Sequence, residues 1–199
     1  MISIRLVKMR RMTSETFDKI IDCVAIGTPI WDVLILTENI PPPGVTVRNA
    51  YIALCAGGAA ANVASGVATL GGKSIFIGKF SNSVLDYEYI NKLLAQNVSV
   101  IALISERAQI GFCVSLVLRS LLERTFFVYT GAHNAISCSD IEMVSGVIKH
   151  SHFLYISGFE LTRDSQERAY LKAVNIAHPT GTRVFFDPAD PKIISEKHK

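Results

Sequence analysis

Residues 51–72, YIALCAGGAAANVASGVATLGG, run for 22 positions without a charged side chain and hold five of the chain's 13 glycines. An uncharged stretch of that length could cross a bilayer. The glycines and Asn62 divide it, however, and it opens like a strand before turning helical, so it is a buried core segment and not a membrane span. Gly57 and Gly58 lack Cβ and let a ligand approach the main chain. Val63, Val67 and Leu70 then fall at i, i+4 and i+7 among alanines of high helix propensity, and Gly71-Gly72 ends the helix. The first turn of such a helix offers unpaired N–H groups and a partial positive charge, and Asn62 in or near it both donates and accepts. Two readings stay open: small residues that let a helix pack tightly on a sheet, or the floor of a site for a polar, hydroxyl-rich small molecule.

Around this segment, apolar runs alternate with helical patterns. Cys23–Ile26, Ile75–Ile77, Val98–Ile104, Phe153–Ile156 and Val184–Phe186 are continuously apolar, as expected of strands covered on both faces of a parallel sheet. Helices are expected over Val84–Gln96, with Tyr87, Ile90, Leu93 and Leu94 on one face, and from Ser139, where Ser139-x-x-Glu142 forms a capping box ahead of Ile141, Val144 and Ile148. A third runs from about Ser165 to His178 on Tyr170, Val174 and Ala177, stopped by Pro179. The alternation implies a doubly wound, mainly parallel α/β sheet. Strand-like segments near 32–36, 46–54 and 111–129 interrupt it, the first two joined across Pro41-Pro42-Pro43-Gly44 and the last a hairpin. They form either a small separate sheet or an edge extension of the main one.

The chain has 199 residues, 49% hydrophobic and 19% charged, which suits one globular domain. Its formal charge of +3 comes from residues 1–12, which carry Arg5, Lys8, Arg10 and Arg11 and no acid. The rest is nearly neutral, so no field favours nucleic acid. Residues 1–20 read as a basic leader outside the fold, disordered or mis-started (Met9 and Met12 are other starts) and a poor secretion signal. Residues 21–192 read as an incomplete α/β domain and 193–199 as a polar tail. Four cysteines without a C-x-x-C read as buried thiols of a reducing cytoplasm, and the histidines form no ligand set, so no metal site is expected.

Gly57-Gly58-Ala59-Ala60-Ala61-Asn62-Val63-Ala64, followed six residues later by Leu70-Gly71, resembles the N-terminal signature of the ribokinase-like (PfkB) family of sugar and nucleoside kinases. The resemblance implies that Gly57, Gly58 and Asn62 hold the hydroxyls of a sugar or nucleoside. It extends to Gly27-Thr28-Pro29-Ile30-Trp31-Asp32, where family members carry a substrate-binding Asp, which makes Asp32 a candidate over the plain reading of a solvated turn acid. Ile30 and Trp31 depart from the smaller or polar residues common there, and Trp31 either stacks on a ring or packs in the core. Gly78-Lys79-Phe80-Ser81-Asn82 follows the family's Gly-x-Val-Gly-x-Asp in part; Ser81 replaces a glycine and fits unstrained only at negative φ.

By the same resemblance, Glu160 after Tyr155-Ile156-Ser157 reaches the substrate, though it reads equally as an exposed loop acid. Thr130-Gly131-Ala132 resembles the turn after the lid hairpin, and Asp187-Pro188-Ala189-Asp190 a turn with a shape role. The interrupting strands would form a lid over the substrate, which in some members is also a homodimer interface.

Leu70-Gly71-Gly72-Lys73-Ser74 is not a P-loop, because Val67 stands where glycine is required and the order is helix, turn, strand. No G-x-G occurs, which excludes a dinucleotide fingerprint and also the family's Gly-Ala-Gly-Asp element, with its catalytic base. The Asn-x-x-Glu element tied to magnesium is missing too. ATP and Mg2+ are therefore expected for the complete family domain, with no site for either, and no catalytic residue, in this chain. The resemblance implies ATP-dependent phosphorylation of a sugar or nucleoside hydroxyl, with the acceptor-binding half here; the alternative is a non-catalytic remnant or binding module that keeps the pocket.

Overall fold

A computed structural model describes residues 18–105, 110–121, 123–131, 136–161 and 164–189. Five parallel strands form the main sheet: β1 (Ile21–Ile26), β4 (Ser74–Phe80), β5 (Ser99–Ile104), β8 (Ser151–Ser157) and β9 (Arg183–Asp187), ordered β5-β4-β1-β8-β9. All five apolar runs of the sequence lie in or overlap these strands. Helices α1 (Ala59–Thr69) and α2 (Val84–Ala95) cover one face, over Cys23, Ala25, Phe76, Phe80 and Tyr155. Helices α3 (Cys138–Met143), α4 (Ser145–Lys149) and α5 (Asp164–Ala177) cover the other, over Val24, Ile26, Ile77, Leu154 and Ile156. Alternate residues of β1 thus serve opposite cores, which is why its sequence is continuously apolar.

The interrupting strands form a separate four-stranded sheet and not an edge extension. Its order is β3-β2-β6-β7, with β2 (Ile30–Thr37), β3 (Tyr51–Gly57), β6 (Gly111–Leu118) and β7 (Glu123–Tyr129). β2 runs parallel to β6 and antiparallel to β3, and β6 and β7 make the expected hairpin. The stretch 46–50 is not strand; β3 begins at Tyr51, after Asn49 at φ +58°.

Three local expectations are corrected. Helix α3 is capped two residues earlier than the Ser139-x-x-Glu142 pattern suggests: Ser137 accepts from the Asp140 N–H, and Asp140 accepts from the Ser137 N–H. In α2 the inward face is Asp86, Tyr89 and Leu93, leaving Tyr87 and Leu94 exposed. In α1 the buried face is Ala60, Ala61, Ala64 and Ala68, while Leu70 lies past the helix end and is 90% exposed. Small side chains bring α1 close to β1 and β4, so the tight-packing account of the alanines holds. Ser81 is not among the positive-φ residues, and its hydroxyl donates to Asp86.

Residues 51–72 divide into β3, the glycine pair, α1 and its closing turn. Among the described residues no helix is long and apolar enough to cross a membrane. The four cysteines are free thiols, but only Cys23 is buried and Cys55 is exposed, against the expectation of uniformly buried thiols. The leader to residue 17, Ala132, and the chain from Asp190 onward lie outside the described residues.

Candidate functional site

Ligands of parallel α/β sheets collect beyond the carboxyl ends of the strands. At that edge β1 runs into Gly27-Thr28-Pro29 and then β2, and β8 runs into a 3-10 turn, Gly158–Leu161. The glycine pair arrives there from the small sheet, where β3 meets α1. Ile30 of β2 pairs with Gly57, and Asp32 pairs with Cys55 on β3 and Cys113 on β6. Asp32 therefore lies two residues inside the small sheet, between two thiols.

Its carboxylate lies over Gly57. A Cβ built on Gly57 would come within 1.9 Å of Asp32 Oδ2, so only glycine leaves room for the acid. Gly58 is the N-cap of α1 at φ +98°, and a Cβ there would come within 2.4 Å of the Thr28 carbonyl oxygen. A left-handed angle and a backbone contact both demand glycine. Gly58 has no side chain to cap the helix, so the first-turn amides of α1 are left for other acceptors. Asn62 is the fourth helical residue; its N–H donates to the Gly58 carbonyl at 2.9 Å, and its exposed carboxamide has no partner among the described residues. Asp32, Gly57 and Gly58 thus meet at one elbow, to which Asn62 is joined through its backbone N–H.

Desolvation by half-burial pushes the Asp32 carboxyl above its ordinary value, and the Cys113 thiol, hydrogen-bonded to it, partly offsets that. Burial likewise raises Cys113, with the Asp32 charge adding to it, so this thiol stays protonated.

Glu160 is not an exposed loop acid: it is 4% exposed. Its Oε1 accepts from the Thr28 N–H at 2.9 Å, its two oxygens accept from the Thr28 hydroxyl at 2.9 and 2.8 Å, and Oε2 accepts from the Tyr170 hydroxyl at 3.3 Å. It clamps the loop between β1 and β2 from beneath. Burial pushes its carboxyl up to about 7, against the lowering effect of the Thr28 and Tyr170 bonds. Asp187 accepts from the Tyr155 hydroxyl at 3.0 Å and from the Ala189 N–H at 2.9 Å, which supports a shape role for that turn. Lys73 leads from α1 into β4, its N–H donating to Asp22 at 2.7 Å, in an order no phosphate loop shares.

Trp31 packs in the core and does not stack at the surface. It is buried, meets Tyr89 edge-on at 5.8 Å, and donates its indole N–H to the Leu85 carbonyl at 3.2 Å. Sequence reasoning missed Thr28, Tyr89 and Tyr170, whose partners lie 32 to 132 positions away except for Tyr170 with Glu160.

The model of the pfkB family carbohydrate kinases matches residues 21–199. The chain belongs to that family. Among its PfkB relatives, fructokinase-2 of Zea mays is 26% identical over 132 residues, covering 66% of this chain and 39% of the relative. Ribokinase of Mus musculus is 24% identical over 166 residues, covering 83% and 50%. The structure of fructokinase with bound ATP from Xylella fastidiosa superimposes with a TM-score of 0.70 at 19% identity, covering 91% of this chain and 54% of that one. The chain spans half or less of the length of these curated relatives. PfkB kinases use ATP and a divalent metal. Among the described residues no three His, Cys, Asp or Glu side chains gather into a set that could hold a metal ion.

Proposed function

We propose that this chain binds the acceptor of a PfkB reaction, a small sugar whose hydroxyl the family phosphorylates from ATP. The observation that carries this is the fit of the Asp32 carboxylate over Gly57, beside the uncapped start of α1. A carboxylate takes two hydroxyl hydrogens at once, and helix amides donate to the oxygens that a carboxylate would repel. Hydrogen bonds to a charged group contribute about 1.5–3 kcal/mol each, enough to select a polyol over water. Asn62 adds a donor and an acceptor at the rim, and Glu160 supports the floor through Thr28. No transfer step is assigned to this chain's residues.

A second reading is a module that holds a sugar or nucleoside without transferring phosphate; it is supported by the same residues, since this proposal assigns all of them to the acceptor. Calorimetric titration with D-fructose, D-ribose and adenosine, paired with ADP release in the presence of MgATP, separates the two. Binding with ADP release supports the kinase, binding alone supports the module, and no binding of any of the three overturns both.

The same proposal places the protein in the cytoplasm and includes a homodimer through the small sheet. In support, β7 exposes Phe126, Phe127 and Val128, and β3 exposes Tyr51, Ile52 and Leu54. Exposed apolar surface of this extent marks an interaction face, and sedimentation velocity reads the outcome.

A further inference from the structure

The glycine elbow is held from below by one residue of α2. Tyr89 is fully buried among Trp31, Phe76 and Phe80, with ring centroids 5.8, 6.2 and 5.9 Å away. Within this apolar cluster its hydroxyl donates to the Gly57 carbonyl at 2.6 Å. Trp31, on the neighbouring strand β2, is tied to the same helix through the Leu85 carbonyl. Both strands that join the small sheet to the main body beside the elbow are therefore anchored to the first two turns of α2.

The direction of the Tyr89 bond matters. In a planar trans peptide the C=O and the following N–H point opposite ways. Drawing the Gly57 carbonyl into the aromatic cluster turns the Gly58 N–H away from it, on the side where α1 begins. We propose that Tyr89 is a positioning residue for the acceptor site: by fixing the Gly57–Gly58 peptide it aims the Gly58 N–H at an acceptor hydroxyl, while Trp31 fixes the strand that carries Asp32. The inference rests on the acceptor reading above, but its structural half can be measured without any ligand.

Y89F removes the hydroxyl and keeps the ring. Y87F is the matched control, since Tyr87 lies on the exposed side of the same helix and its hydroxyl donates to Asn82. Amide hydrogen exchange over residues 57–62 is measured first. Y89F is expected to speed exchange at least tenfold at Asn62, whose N–H is bonded to the Gly58 carbonyl at 2.9 Å, with Y87F at the wild-type rate; equal rates in Y89F and wild type overturn the inference. D-Fructose and D-ribose are then titrated into each folded variant by calorimetry. Y89F is expected to weaken binding about tenfold while far-UV circular dichroism stays native, an effect that a merely structural residue would not produce in the folded fraction. Binding by Y89F within twofold of wild type also overturns it.

If wild type binds neither sugar, that failure belongs to the acceptor reading, and the exchange rates alone decide the clamp. Should Y89F fail to fold, W31F replaces it: loss of the Leu85 bond is expected to speed exchange at Ile30–Asp32, and wild-type rates there overturn the coupling of β2 to α2.

Discussion

Gly57 and Gly58 are adjacent, yet alanine at each is expected to fail for a different reason. In G57A the new methyl's three nearest neighbours all belong to the Asp32 carboxylate, with Oδ2 at 1.9 Å and Cγ at 2.6 Å. The carboxylate ends a side chain that can rotate, so the chain folds, and stability changes by about 1 kcal/mol or less. Restoring ordinary contact, however, moves Oδ2 by about 1.5 Å, well beyond hydrogen-bond tolerance. Losing one or two charge-assisted bonds at about 1.5–3 kcal/mol each weakens acceptor binding by roughly tenfold to several hundredfold or more. In G58A the methyl meets the Thr28 carbonyl oxygen at 2.4 Å, and φ is +98°. Backbone cannot rotate away, and the left-handed angle alone costs about 1–2 kcal/mol. A loss of about 2–4 kcal/mol in folding stability follows. Urea titration followed by circular dichroism and calorimetric sugar titration measure both variants. Equal destabilisation of the two, or undiminished sugar binding by G57A, would refute the placement of Asp32 over the elbow.

Two further outcomes follow from the same geometry. The Glu160 carboxyl is raised to about 7 from an ordinary 4.5, so between those values the folded state holds its proton more tightly than the unfolded state. Its stabilising contribution is full below pH 4.5 and lost as pH rises through 7, about 3 kcal/mol over the window. E160Q cannot titrate, so wild type should lose about that much stability relative to E160Q between pH 4.5 and 8 in urea unfolding; parallel profiles would refute the burial of this acid. The outer edge of β9 exposes Phe185 at 63% and Phe186 at 46%, one to each side of the sheet. The chain is expected to form species larger than the small-sheet homodimer at micromolar concentration, with F185S/F186S shifting sedimentation back toward that dimer; a wild type with no species above the dimer counts against this.

The main sheet was legible because strands buried on both faces leave a short unbroken apolar run, as in Val24–Ile26 and Leu154–Ile156. The glycine elbow was legible for a related reason: paired glycines before an alanine-rich helix answer a local backbone demand. Misreadings arose where two local patterns competed. Ser137 and Ser139 both precede an acid by three residues, and only burial of Asp140 beside Lys79, with Nζ 2.8 Å from the carboxylate, selects the first. The face of α2 was misjudged at Tyr87 and Leu94, which are as apolar as the inward Tyr89, Leu93 and partly buried Ile90, a set that also includes the acid Asp86. Of the floor of the site only Glu160 was legible, and its partners were not. Thr28 meets Glu160 across 132 positions and Tyr89 meets Gly57 across 32, and no local spacing encodes contacts made by the closing of the sheet.

The central claim is that Asp32 and the Gly57–Gly58 elbow form one polyol site. Calorimetric titration of wild type and D32A with D-fructose and with D-ribose tests it most directly. The expected result is saturable binding of at least one sugar by wild type, and its loss in a D32A variant with native circular dichroism. A folded D32A that binds as wild type does would contradict the claim.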